Sequence, residues 1–119
     1  MQKLLSFTSV IFVFSACMQH EADLSGYDCS NQPNLSYSVD IQPIINNSCA
    51  TSSCHDASNP ADKLDLSSYE KVKDHIQHAK FWGALEHNTK YEPMPKGASK
   101  LSDTLILKIA CWAKNGTPQ

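Results

Sequence analysis

The sequence predicts a small all-α domain, and three observations carry that expectation. Apolar residues recur at helical spacing in three separate stretches, centred near Ile44, Val72 and Ile109. A residue able to cap a helix N-terminus stands before each stretch: Asp40, Ser67 and Ser102. No run of alternating apolar and polar residues marks a strand. At 119 residues the chain holds one domain, with three to four helices.

Taken in order, the chain opens with Lys3 as the only charged side chain before Glu21, and with an apolar run from Leu4 to Phe14 broken only by Ser6, Thr8 and Ser9. Such a run of about eleven residues is short for a bilayer-spanning helix, which needs roughly 20. It reads as a signal peptide over residues 1–16. Ser15, Ala16 and Cys17 resemble the lipobox of bacterial lipoproteins, with Phe14 in place of the usual Leu. That resemblance implies acylation of Cys17 as the first mature residue; ordinary secretion with cleavage near Cys17 is the alternative. Both routes lead out of the cytoplasm.

Residues 17–36 are polar and turn-rich and are expected to form a tether. Asp40 can cap a helix from about Ile41 to Asn47, with Pro43 in the first turn, where its missing N–H costs no intrahelical bond. Residues 56–65 form a loop around Asn59 and Pro60. Ser67 and Glu70 have the spacing of a capping box ahead of a helix from Ser68 to Lys80, whose face is Tyr69, Val72, Ile76 and Ala79. Phe81 to Leu85 is expected to form a second short turn or helix bent at Gly83. Residues 91–97 contain Pro93 and Pro95, which restrict Glu92 and Met94 to extended geometry and exclude helix. Ser102 then caps a last helix with Leu105, Ile106, Ile109, Trp112 and Ala113 on one face, ending at Asn115 and Gly116.

Composition narrows the function classes. The chain has no Arg and a formal charge of −2, which becomes −3 once Lys3 leaves with the signal peptide. Nucleic acid wants clustered basic charge, so a nucleic-acid partner is not expected. A basic or mixed protein surface is the better match.

The chemistry concentrates at Cys49, Cys54 and His55, with Met94 following after about forty residues. Two thiols can form thioethers with the vinyl groups of a haem, and a histidine directly after the second thiol can become an axial iron ligand. The thioether of Met94 can supply the other axial ligand. The gap between the cysteines is four residues, where two is usual, and the small side chains of Ala50, Thr51, Ser52 and Ser53 allow the extra length to bulge out. Competing readings make Cys49 and Cys54 a local disulfide, a zinc site or a thiol–disulfide redox pair. Zinc lacks an obvious fourth ligand here, and the redox pair normally has a two-residue gap. Met94 can alternatively be a core residue. His87 is the runner-up for the distal position; His75 and His78 read as solvated side chains, and His20 falls in the tether. Leu64, Leu66, Phe81, Trp82 and Tyr91 can close around a porphyrin.

With these motifs in view, the chain resembles a small monohaem c-type cytochrome over roughly residues 37–117, placing the domain at 37–119. The family order is an N-terminal helix entering the Cys/Cys-His site, a middle helix, a Met-Pro loop and a C-terminal helix whose aromatic packs on the first helix. Asp40 to Ile44 and Pro93 to Gly97 are also similar to cytochrome-like lipoproteins of exported bacterial systems. The four-residue gap departs from the monohaem pattern and occurs in some multihaem cytochromes. The resemblance implies one covalent haem c on Cys49 and Cys54, axial ligation by His55 and Met94, and one-electron transfer rather than enzymatic catalysis. It implies redox partner proteins of the cell envelope and attachment to the membrane through the lipid on Cys17, in the periplasm or at the outer membrane. A haem-bearing subunit or sensor of a larger complex, and a disulfide-stapled structural lipoprotein without cofactor, are the other readings. By elimination in an oxidising compartment, Cys29 and Cys111 remain to form a disulfide.

Overall fold

A computed structural model describes residues 21–32 and 34–119. The expected signal peptide, Cys17 and His20 lie outside the described residues. Within them the chain is helical and carries no strand, only an isolated antiparallel bridge between Glu21 and His78. The helices are α1 (Gln42–Ser48), α2 (Tyr69–His75), α3 (Ala79–Leu85) and α4 (Asp103–Lys114), with a π-helical turn at Tyr37–Ile41 and a 3-10 turn at Ala61–Lys63.

The helical stretch begins earlier than an Asp40 cap would set it, with the π turn at Tyr37, and α1 follows from Gln42 without a side-chain cap of its own. Ser36 is the capping residue: its Oγ accepts from the Val39 N–H, while Asp40 Oδ2 accepts from the Ser36 N–H at 2.9 Å. This reciprocal pair has the logic of a capping box stretched by one residue, which suits the wider π turn. Asp40 also faces Lys108 of α4 at 3.5 Å, so the turn is tied to the C-terminal helix. Pro43 falls at the start of α1 as its missing N–H requires.

The single helix expected over 68–80 is two helices. Ile76 and Gln77 have their carbonyls taken from outside the helix, by Trp82 Nε1 at 2.8 Å and by the Ala22 N–H at 2.9 Å. The chain turns there and restarts at Ala79, with His78 as the N-terminal cap position. The expected Ser67–Glu70 capping box does not form. Asp65 Oδ1 accepts from the Ser67 N–H at 2.8 Å, and α2 starts from Ser68 without a side-chain cap. This is a local side-chain bond competing with the helix start.

Gly83 does not bend α3 but lies within it. A Cβ at this position would overlap the ring of Tyr91, so glycine is what lets this residue of the 91–97 loop lie against the helix. Ser102 caps α4 through its Oγ and the Leu105 N–H, and α4 ends before Gly116, whose φ of +84° is left-handed.

The core is built on Ile41, Ile45, Val72, Ile76, Ile106, Ile109 and Trp112, all essentially inaccessible. Trp112 packs on Tyr37, in the turn that feeds α1, with ring centroids 5.7 Å apart, and Tyr69 completes an aromatic trio. The chain end seals this trio. The Pro118 carbonyl accepts from Trp112 Nε1 and from the Tyr37 N–H, and the Thr117 carbonyl accepts from Tyr69 Oη.

Residues 21–36 differ from the expected tether over their described part. Tyr27 packs on Trp82 with centroids 5.9 Å apart and donates its hydroxyl to Glu86, and its carbonyl accepts from Lys114 Nζ. Leu35 is buried, and Cys29 is disulfide-bonded to Cys111 of α4 with Cα atoms 5.4 Å apart. The pairing reached by elimination is the one present. No helix among the described residues is long and apolar enough to cross a membrane.

Candidate functional site

Helix α1 runs directly into the cysteine motif. The Cys49 and Ala50 N–H groups both donate to the Ile45 carbonyl, ending the helix, and the His55 N–H donates back to the Cys49 carbonyl at 3.1 Å. These bonds close a loop in which Thr51 to Cys54 make a turn, with Ser53 at φ +65° and both Ser52 and Ser53 exposed. The two residues beyond the usual gap therefore bulge toward solvent, at the cost of one left-handed non-glycine residue.

His55 is 8 % exposed. Its Nδ1 lies 2.9 Å from the Leu64 carbonyl. A carbonyl can only accept, so Nδ1 carries a proton, and the tautomer this selects has its lone pair on Nε2. A backbone carbonyl on the far nitrogen is the usual way a metal-binding imidazole has its tautomer and orientation set. The loop that supplies this carbonyl is itself stitched to the motif, by Ala61 N–H to the Cys54 carbonyl and Leu66 N–H to the His55 carbonyl.

A cavity of about 540 Å³ opens beside this motif. Cys49, His55 and Met94 all line it, although Met94 is remote in sequence. Leu64, Leu66, Phe81, Ala84 and Tyr91 add apolar wall, and the charged residues Asp62, Lys63, Lys80 and Glu92 also border it. Trp82 does not line it. The indole is buried in the core with its N–H on the Ile76 carbonyl.

Met94 is half-buried and held at both backbone groups. Its N–H donates to the Ala84 carbonyl at 2.9 Å, and its carbonyl lies 3.0 Å from His87 Nε2. His87, the expected rival for the distal position, is thus occupied in positioning Met94 and is not part of the cavity wall. The histidines read as solvated are the ones that reach the cavity. His75 and His78 are both half-buried and border it. Burial lowers the His75 pKa from its ordinary value, Asp74 works against that shift, and His78 and His55 reinforce it. The break between α2 and α3 turns these rings inward, and a continuous helical reading of 68–80 hides it.

The cysteines differ in environment. Cys49 is half-buried, and burial followed by the neighbouring Cys54 pushes its thiol up to about 11, so it stays protonated at neutral pH. Cys54 is exposed at the outside of the turn, and the two are not bonded to each other.

No protein-family model, no curated protein and no solved structure matches this chain.

Proposed function

We propose that this protein is a one-electron carrier of the c-type cytochrome kind, exported and lipid-anchored through Cys17, with haem c bound covalently by Cys49 and Cys54. The observation that carries the reading is the single cavity in which Cys49, His55 and Met94 meet. Its volume of about 540 Å³ lies within the roughly 300–1,000 Å³ usual for cofactor pockets. Its donor set also suits haem iron: an imidazole with a free Nε2 and a thioether held on a stiff loop. Haem supplies the reversible one-electron iron couple when bound.

The chain's own residues do the rest. His55 would hold the iron through Nε2, kept in that tautomer by Leu64. Met94 would offer its thioether as a second ligand, which would favour the ferrous state relative to a second imidazole. Leu64, Leu66 and Phe81 would give the bound group an apolar wall. With His55 and Met94 both committed to holding the iron, no position would be left there for a substrate, which favours a carrier over an enzyme. The mature formal charge of −3 and the absence of Arg favour basic or mixed surfaces on redox partners in the cell envelope.

The test is expression of the full chain together with a cytochrome maturation system. The purified protein should show a haem spectrum, and the pigment should stay on the chain through denaturation and acid-acetone extraction. Colourless protein, or pigment fully removed by extraction, would return Cys49 and Cys54 to a local disulfide and the molecule to a structural lipoprotein. Mass spectrometry of the membrane fraction reads the anchor: a water-soluble mature chain with unmodified Cys17 excludes it.

A further inference from the structure

The break between α2 and α3 gathers ligating side chains that the electron-carrier reading does not use. α2 ends at His75, and α3 begins after His78. The three-residue turn is held from several sides: the Gln77 N–H donates to the Asp74 carbonyl, the His78 N–H to the His75 carbonyl at 3.1 Å, and the Phe81 N–H to the His78 carbonyl at 3.0 Å. Outside the turn, Trp82 Nε1 and the Ala22 N–H fasten the Ile76 and Gln77 carbonyls. The backbone under the two histidines is therefore fixed by five hydrogen bonds, two of them from other segments.

This turn sets the imidazoles side by side, with ring centroids 6.2 Å apart. One ligand atom each from Asp74, His75 and His78 lies within 4.8 Å of the other two. Bonds of about 2.0–2.2 Å to a tetrahedral ion place neighbouring ligand atoms roughly 3.4 Å apart, so side-chain rotations of about 1 Å close the set without moving the backbone. Among the described residues, no hydrogen bond or ion pair engages either ring nitrogen of His75 or His78, or the Asp74 carboxylate. Three coordinating groups on a fastened turn, none committed elsewhere, form an arrangement that surface histidines do not need.

We infer that Asp74, His75 and His78 form a binding site for a borderline divalent transition cation, Zn²⁺ or Cu²⁺, at the edge of the cavity that Cys49, His55 and Met94 also line. Two imidazoles and one carboxylate suit these ions, whereas Ca²⁺ and Mg²⁺ want oxygen ligands. Asp74 is exposed, so the site opens to solvent on that side, and water completes the coordination.

The experiment is titration of the mature chain with Cu²⁺ alone and with Zn²⁺ alone, with Cys49 and Cys54 in thioether linkage or alkylated so that thiols do not compete. One equivalent should bind, and the Cu²⁺ paramagnetic resonance spectrum should show coupling to two imidazole nitrogens. His75→Ala and His78→Ala should each weaken binding at least tenfold, and Asp74→Asn should weaken it several-fold. The resonance measurement needs no variant and stands if a substitution disturbs folding. Affinity unaltered by His75→Ala and His78→Ala, or a copper spectrum without two nitrogens, overturns the site. In the haem-loaded chain neither histidine variant should open the ferrous haem to carbon monoxide; if either did, these rings would belong to the iron and the cation site would fall. An unaltered chain that carries haem but binds neither Cu²⁺ nor Zn²⁺ removes this inference alone, and colourless protein that binds one Cu²⁺ removes only the electron-carrier reading.

Discussion

At the residue scale, the site depends on which nitrogen and which sulfur are presented to the cavity. Leu64 commits the Nδ1 of His55, and the bonds to Ala84 and His87 hold Met94 by its backbone, leaving its thioether unconstrained by any polar contact. Under the electron-carrier reading, Met94→Ala should lower the reduction potential and let carbon monoxide bind the ferrous form. His87→Ala removes only a bond to the Met94 carbonyl and should leave the iron closed to carbon monoxide. The reverse pattern, an effect of His87→Ala with none from Met94→Ala, would move the distal role to His87. Asp65 offers a prediction independent of any cofactor. Its contact with Lys71, followed by its bonds to Ser67, holds its carboxyl at about 2 against an ordinary 3.8. The folded-state pKa is depressed, so its contribution is complete above 3.8 and is lost as pH falls toward 2. Asp65→Asn should therefore narrow the gap between unfolding midpoints measured near neutrality and those measured at about pH 2. An unchanged acid sensitivity would show that the Lys71 and Ser67 contacts contribute nothing to folding.

At the scale of elements, α3 and the loop after it act as one unit. Gly83 accepts the Tyr91 ring, Tyr91 forms cavity wall, and Ala84 fixes Met94. Alanine at a helix interior position normally adds up to about 1 kcal/mol of stability relative to glycine. Here the added methyl meets an aromatic ring, and overpacking costs about 1–3 kcal/mol. Gly83→Ala should thus be destabilising by urea unfolding, and adding Tyr91→Ala should give a double variant less destabilised than the sum of the two single changes. Strict additivity would mean that the ring and the helix are not in contact. The same contact explains why a glycine that suggests a bend in the sequence sits in a continuous helix.

At the scale of the whole molecule, the disulfide joins the entry of the domain to its last helix. Cys29 and Cys111 are separated by 82 residues, and a loop of that size corresponds to at most about 4.5 kcal/mol in the chain-entropy description. The core it supplements is small, and the cavity takes up space that packed side chains would otherwise fill. Replacing both cysteines with alanine should lower the free energy of unfolding by several kcal/mol and free residues 21–36 from the surface of α3 and α4, read as faster amide exchange in that segment. A loss below about 1 kcal/mol, with exchange unchanged, would show that Tyr27 and Leu35 hold the segment without the bridge.

The sequence by itself determined the all-α class, the start and end of α4, the exclusion of helix from residues 91–97, and the cysteine-histidine motif with its methionine, because each follows from local spacing, capping or proline geometry. Elimination among the cysteines also reached the Cys29–Cys111 pair. Tertiary structure alone decided the break at 76–78, since the sequence there contains neither proline nor glycine and the competing donors come from Trp82 and Ala22. It decided that His75 and His78 border the cavity while Trp82 does not, and that the described part of residues 21–36 packs on the domain. The physical reason is common to all of these. A backbone carbonyl accepts from whichever donor the folded chain brings nearest, and that donor can be several residues along the chain or on another segment.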